Sequence, residues 1–234
     1  MEAQNIEFKT SDEMTIAGEA WGNPEHPPVI LLHGGGQTRH SWGKTAQTLA
    51  DQGYYAIAYD ARGHGKSSWS PARNYAYEYL IHDLKTVIAQ LSAKPALVGA
   101  SMGGLTSMLT QGETEDMLTS AIILVDVAPR VEQKGVERIF KFMSANLEQG
   151  FATLEEAADA VAAYLPHRTR PKTLARLEKN LRKKEDGRYY WHWDPKILDA
   201  WKKSTPEQIL ADTQRLYDAA NNLKIPTLIV RGGM

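Results

Sequence analysis

The sequence predicts an α/β protein in which a mostly parallel, twisted sheet carries helices on both faces. Short apolar runs alternate with stretches of helical periodicity over most of the chain, which favours strand–helix–strand units. One run, Val-Ile-Leu-Leu at residues 29–32, is continuously apolar, as expected of a strand buried on both faces. After residue 130 the strand-like runs stop and helical, charged sequence takes over, which indicates an insertion in the sheet domain.

The elements follow in order along the chain. Two antiparallel strands are predicted at residues 5–10 and 14–21, around a turn at Ser11-Asp12. Further strands are predicted at 29–32, 54–59, 96–98, 121–125 and 224–230. Helices are predicted at 41–52, 77–91, 102–111 and 206–220.

The insertion is predicted to be a helical cap at residues 130–205, while residues 1–129 and 206–234 form the sheet core. Its expected helices span 131–146, 154–164 and 171–184, with no strand between them. An aromatic cluster at residues 187–195 is expected on a loop of this cap.

Composition restricts the class of protein. The 234 residues suit one domain with an insertion, and 42% hydrophobic with 24% charged residues is ordinary for a soluble protein. A net charge of −1 gives no sign of nucleic-acid or membrane binding. The absence of cysteine excludes disulfides and thiolate catalysis. With a polar N-terminus and no bilayer-length apolar run, we expect a cytoplasmic protein without a membrane partner.

The strongest chemical signal is the sequence Gly99-Ala100-Ser101-Met102-Gly103, called here the serine turn. It follows a predicted strand and precedes a predicted helix. A serine on such a sharp turn is held in a strained backbone conformation with its hydroxyl exposed. Glycines two residues before and after it avoid a steric clash. The serine turn is therefore expected to hold a nucleophile at a helix N-terminus, where negative charge is favoured.

Two further motifs precede the serine turn and, like it, follow predicted strands. The first is His33-Gly34-Gly35-Gly36, and the second runs from Asp60 to Ser67 as Asp-Ala-Arg-Gly-His-Gly-Lys-Ser. Together the three motifs resemble the α/β-hydrolase fold superfamily over the whole chain. In detail the sequence is similar to its capped esterase, lactonase and cofactor-free haloperoxidase branch.

The resemblance implies a serine hydrolase without a cofactor or a metal. Ser101 is expected to attack a carbonyl group and form an acyl-enzyme. The backbone N–H groups of Gly35 and Met102 are expected to form the oxyanion hole. The implied substrate is a carboxylic ester or lactone of a small, partly apolar molecule. Carbon–carbon bond hydrolysis and perhydrolysis remain open, as does a non-hydrolytic ligand-binding protein of the same fold.

The resemblance also implies a C-terminal histidine and acid, which this sequence does not supply in the usual places. Asp126 is an alternative acid, or else a structural residue at the entry to the cap. His33 and His64 are expected to brace loops rather than act as the base. We expect the missing base and the end of the core to lie beyond Met234, or a second chain or fragment to complete the fold.

The substrate pocket is the least specific expectation. The side chains of Trp42, Trp191, His192 and Trp193 are candidates to line an apolar pocket under the cap. Plain core packing of the tryptophans is the alternative.

Overall fold

The computed structural model describes residues 2–130, 133–165, 170, 174–202 and 205–232. A seven-stranded sheet dominates the described residues. Its strands are β1 (Gln4–Lys9), β2 (Thr15–Trp21), β3 (Pro28–Leu32), β4 (Tyr55–Tyr59), β5 (Ala96–Ala100), β6 (Ala121–Val125) and β9 (Thr227–Val230). The spatial order is β1-β2-β4-β3-β5-β6-β9. β1 and β2 are antiparallel to their neighbours, and all other pairs are parallel.

Helices flank the sheet and fill the region between β6 and β9. They are α1 (Gly43–Asp51), α2 (Tyr77–Ile88), α3 (Met102–Gly112), α4 (Gln133–Ser144), α5 (Leu154–Tyr164), α6 (Ala175–Glu178), α7 (Ile197–Lys202) and α8 (Pro206–Asn221). A short 3-10 helix, Arg39–Trp42, precedes α1. None of the described helices is long and apolar enough to cross a lipid bilayer.

The pleat of β3 shows why the sheet needs helices on both faces. Ile30 and Leu32 point into a core cluster that α2, α3 and α8 help to build. Val29 and Leu31 point into a second cluster, against Ala46 of α1. All five residues of β3 are buried, because successive side chains face opposite sides of a covered sheet. The predicted fold class is therefore confirmed.

The prediction that residues 130–205 contain no strand is wrong. β7 (Leu181–Lys183) and β8 (Tyr189–Trp191) form an antiparallel hairpin. The predicted helix at 171–184 is reduced to α6, and its first three residues lie outside the described ones. A tight turn between β7 and β8 explains why a hairpin replaces the helix. Gly187 in this turn has φ +78°, and its N–H donates to the Lys184 carbonyl at 3.0 Å. The aromatic residues that follow then form a strand rather than a loop.

The opposite edge of the sheet ends in an exposed apolar strand. Leu228, Ile229 and Val230 of β9 are 58%, 56% and 43% exposed. Leu228 and Val230 lie beside Ile123 and Val125 of β6, which are only partly buried. No described helix or strand covers this side of β6 and β9 completely. It is therefore a surface that another polypeptide segment could cover.

Candidate active site

The serine turn has the strained geometry expected of a nucleophile. Ser101 joins β5 to α3 with φ 47° and ψ −117°, a conformation that L-residues rarely adopt. The residue is exposed, and its Oγ makes no hydrogen bond among the described residues. The turn therefore presents a free hydroxyl at the N-terminal end of an eleven-residue helix.

Three glycines make this turn sterically possible. A Cβ atom on Gly99 would lie 2.5 Å from the backbone of Gly103. One on Gly103 would lie 2.6 Å from Leu32, and one on Gly104 would lie 2.6 Å from Val127 Cγ1. Real Cβ atoms do not come so close, so the sequence needs glycine at all three positions. Sequence reasoning explained the first two and missed Gly104.

A loop of residues 33–37, called here the glycine loop, passes directly over the serine turn. A Cβ on Gly34 would lie only 3.3 Å from Ser101 Cβ. Gly34 N–H donates to the Gln37 side chain at 3.2 Å, and Gln37 N–H donates to the Gly34 carbonyl at 3.1 Å. Among the described residues, the N–H groups of Gly35 and Met102 have no hydrogen-bond partner. Both groups are therefore available to an incoming anionic oxygen.

Two buried histidines hold the glycine loop in place. His33 Nδ1 donates to the Gly34 carbonyl at 2.8 Å, and its Nε2 accepts from Ala61 N–H at 2.9 Å. His64 Nε2 accepts from Gly36 N–H at 3.2 Å, while its Nδ1 lies 3.2 Å from the Arg62 carbonyl. Both rings must stay neutral to accept these bonds.

Burial keeps these two rings neutral. Burial, with a smaller effect from His33, lowers the pKa of His64 to about 3. Burial also lowers the pKa of His33, although the nearby Asp60 acts in the opposite direction. The structure thus uses both rings as braces and leaves neither with a nitrogen free to serve Ser101.

A buried ion pair, which sequence reasoning missed, fixes the start of the adjacent 3-10 helix. The Asp60 carboxylate accepts from the Arg39 backbone N–H at 2.7 Å and also pairs with its guanidinium. Its second oxygen accepts from Lys66 N–H at 2.9 Å. A Cβ on Gly65 would overlap this carboxylate at 2.0 Å, so a glycine is required there. Only the Asp-x-x-Gly-x-Gly spacing in the sequence could have indicated this arrangement.

Asp126 lies at the same edge of the sheet as Ser101, but it does not hydrogen-bond to a histidine among the described residues. It follows β6, and Val125 of that strand pairs with Ala100 immediately before Ser101. Its backbone is left-handed, with φ 52°, and its side chain is exposed. Gly232 N–H lies 3.4 Å from its Oδ1. Asp126 therefore stays a candidate acid that links β6 to the end of β9.

The structure separates the four candidate pocket residues. Trp42 packs beside α1 against the core cluster of Val29 and Leu31, away from the cap tryptophans. Trp191 and Trp193 stack with ring centroids 4.8 Å apart and are almost completely buried. His192 is also buried, and its Nδ1 accepts from Gly65 N–H at 2.7 Å. The cap aromatics thus form an apolar core that reaches the glycine loop.

Two cap side chains, one of them missed from the sequence, lie directly on that loop. Met143 of α4 and Trp193 both approach to 3.4 Å from the position that a Cβ on Gly36 would occupy. Met143 Sδ also lies 4.0 Å from the corresponding position on Gly35. The only sequence signal for Met143 was its place on a helix, because its contact depends on how the cap docks.

Among the described residues, no histidine hydrogen-bonds to Ser101 Oγ, and none of their side-chain clusters forms a metal site. His33 and His64 use both ring nitrogens on backbone groups, and His192 uses Nδ1, while its Nε2 is buried without a hydrogen-bond partner among the described residues. No group of three or more histidine or carboxylate side chains among the described residues could hold a metal ion.

The parallel sheet, the strained serine at a strand-to-helix turn and the overlying glycine loop define an α/β hydrolase. Residues 24–234 match the Hydrolase_4 family, described as serine aminopeptidase, S33, and the chain belongs to this family. It is therefore a hydrolase.

Similar proteins extend this comparison. The chain is 29% identical over 225 residues to a 3-hydroxybutyrate-oligomer hydrolase of Cupriavidus necator, covering 93% of this chain and 76% of the relative. It is 29% identical over 223 residues to an esterase of Mycobacterium tuberculosis, covering 93% and 70%. An α/β hydrolase structure from Novosphingobium aromaticivorans superposes with a TM-score of 0.80 at 25% identity, covering 97% of this chain and 80% of that one.

Proposed function

We propose that this chain is a serine hydrolase that cleaves carboxylic esters through an acyl-enzyme at Ser101. The observation that carries the proposal is the strained, exposed Ser101 beneath a glycine loop whose Gly35 N–H is unpaired. The names of the two curated relatives, an esterase and an ester-oligomer hydrolase, support this choice of bond.

The proposed mechanism uses these groups and a base in turn. Ser101 Oγ attacks the ester carbonyl carbon while a base removes its proton. The carbonyl oxygen becomes negative and accepts hydrogen bonds from the N–H groups of Gly35 and Met102. The proton passes to the departing alcohol, leaving the acyl group on Ser101. Water, deprotonated by the same base, then attacks the acyl carbon and releases the acid.

The surroundings favour a small, partly apolar substrate. The side chains of Met143 and Trp193 form an apolar roof over the glycine loop, and the atoms nearest to a Cβ on Gly35 or Gly36 among the described residues belong to these two side chains. Small lactones have the same acyl chemistry and are included in the proposal. A charged substrate would lose hydration against this roof without a compensating partner.

The proposal requires a base from outside the described residues. We propose that a polypeptide segment completes the sheet at β9, covers its apolar side and brings a histidine to Ser101. The exposed Leu228 and Val230 and the unpartnered Ser101 Oγ support this step. It predicts that the 234 residues alone hydrolyse esters slowly, and that the full-length protein, or the chain with its completing partner, does so briskly.

A fluorophosphonate probe tests the assignment in the full-length protein. We expect covalent labelling of the wild type and of Ser120→Ala, which changes an exposed serine immediately before β6. Ser101→Ala should neither be labelled nor hydrolyse p-nitrophenyl esters. Labelling that survives in Ser101→Ala would contradict the proposal.

A second candidate is a non-hydrolytic ligand-binding protein. It is favoured by one observation, the lack of a base for Ser101 among the described residues. Tight binding of a small ester without turnover by the full-length protein would support it over hydrolysis.

A further inference from the structure

The cap contacts the catalytic side of the core through a buried segment, residues 192–194, called here the strap. His192 Nδ1 accepts from Gly65 N–H at 2.7 Å, and Asp194 N–H donates to the Gly63 carbonyl at 2.8 Å. Gly63 and Gly65 are the two neighbours of His64. The strap therefore holds the backbone on both sides of His64.

His64 in turn holds the glycine loop. Its Nε2 accepts from Gly36 N–H, and Gly36 stands next to Gly35, the proposed oxyanion donor. Gly36 has φ +71°, a left-handed conformation that fixes the direction of the neighbouring peptide groups. A shift of His64 would therefore change the direction of the Gly35 N–H.

The strap also touches the glycine loop directly. Trp193 is 1% exposed, and its ring edge lies 3.4 Å from the position of a Cβ on Gly36. Its stacking on Trp191 fixes it in the cap core. The loop is thus held by a hydrogen bond from one side and by an indole ring from another.

The strap has its own anchor in the core. The buried Asp194 carboxylate accepts from the Tyr75 hydroxyl and, at 3.0 Å, from Lys196 N–H. Tyr75 OH also accepts from Ser70 N–H at 2.8 Å. The Tyr75–Asp194 bond crosses between cap and core, so the position of the strap depends on how the cap is seated.

We propose that the strap couples the seating of the cap to the geometry of the oxyanion hole. His192 and His64 act as positioning residues, because their ring nitrogens accept hydrogen bonds from the backbone N–H groups of Gly65 and Gly36. The cap then supports transition-state stabilisation in addition to enclosing the substrate. This inference rests on the proposed serine-hydrolase function.

The physical consequence is specific to the transition state. When an oxyanion donor points away from the carbonyl oxygen, the tetrahedral intermediate loses more stabilisation than the bound ester does. The reason is that only the intermediate carries a full negative charge on that oxygen. Loss of the strap bond should therefore lower kcat and leave KM nearly unchanged. Loss of a cap side chain that only binds the substrate would instead raise KM.

The test compares His192→Leu with His192→Asn in the full-length protein. Leu removes the acceptor for Gly65 N–H, whereas Asn places its Oδ1 near the position of Nδ1. We expect kcat of His192→Leu to fall about tenfold or more, towards the roughly 100-fold loss caused by removing an oxyanion donor outright, with KM changed less than about threefold. His192→Asn should recover most of that loss.

Two controls make the result decisive. His82→Leu changes a partly buried histidine of α2 that bonds Ser11 and should keep wild-type kinetics. Tyr75→Phe loosens the strap anchor from a distance and should also lower kcat with little change in KM. It serves as the second variant if His192→Leu does not fold, as judged by circular dichroism.

The outcomes separate this inference from the proposed function. If wild type is neither labelled by fluorophosphonate nor active, the proposed function fails. If wild type is active but folded strap variants keep wild-type kcat, the strap inference fails alone. It also fails if His192→Asn is as slow as His192→Leu, or if the loss appears in KM.

Discussion

The stability of the fold should fall sharply in mild acid because it buries neutral histidines. His64 is almost fully buried, and its Nε2 must accept a hydrogen bond from Gly36 N–H. Burial lowers its pKa to about 3 in the folded chain, while an unfolded histidine has a pKa of about 6.5. Below pH 6.5 the unfolded chain therefore binds a proton that the folded chain excludes.

The sign and size of the effect follow from this difference. Stability is fully retained above pH 6.5 and is lost progressively as the pH falls from 6.5 towards 3. At pH 5, about 1.5 pH units below the unfolded pKa, His64 alone costs about 2 kcal/mol. Burial also lowers the pKa of His33 and His192, so both add to the loss in the same direction.

Urea unfolding between pH 7.5 and 5 measures this prediction. We expect His64→Gln, whose amide oxygen can accept from Gly36 N–H, to lose about 2 kcal/mol less than wild type over this range. His82→Gln, at a partly buried position of α2, should keep the wild-type pH dependence. The same pH dependence in His64→Gln and wild type would refute the reasoning.

Further variants test the packing of the site by urea unfolding. Gly103→Ala should cost at least about 2 kcal/mol, because its Cβ would meet the Leu32 backbone at 2.6 Å, whereas Gly135→Ala, in open space on α4, should be neutral or stabilising. Equal effects would contradict the steric argument. Asp83→Asn should cost about 3–5 kcal/mol, because it leaves the buried Arg62 guanidinium poorly paired. The matched change Asp12→Asn, at the more exposed partner of the same arginine, should cost clearly less, and the reverse order would count against this account.

The sequence predicted the sheet because its evidence is local. The apolar run of β3 and the alternation of strands with helices need no knowledge of distant contacts. The serine turn was predictable for the same reason, since the clash between Gly99 and Gly103 arises within five residues. Local steric rules can be applied without a structure.

What the sequence did not reveal depends on short elements or on tertiary docking. The strands β7 and β8 have three residues each, too few to show a period of two. The contact of Met143 with the glycine loop arises only when α4 folds over the core. Trp42 was grouped with the cap tryptophans by residue type, but the 3-10 helix turns it towards α1.

Within the glycine loop, the pattern of satisfied hydrogen bonds itself points to the substrate position. The N–H groups of Gly34, Gly36 and Gln37 bond a side-chain oxygen, an imidazole and a carbonyl. Gly35 N–H, in the same loop, has no partner among the described residues. Gly35 is partly buried, and folded proteins satisfy nearly all buried groups of this kind, so a donor left free in an otherwise bonded loop favours a ligand acceptor. The nearby N-terminus of α3 makes a negative oxygen the best occupant.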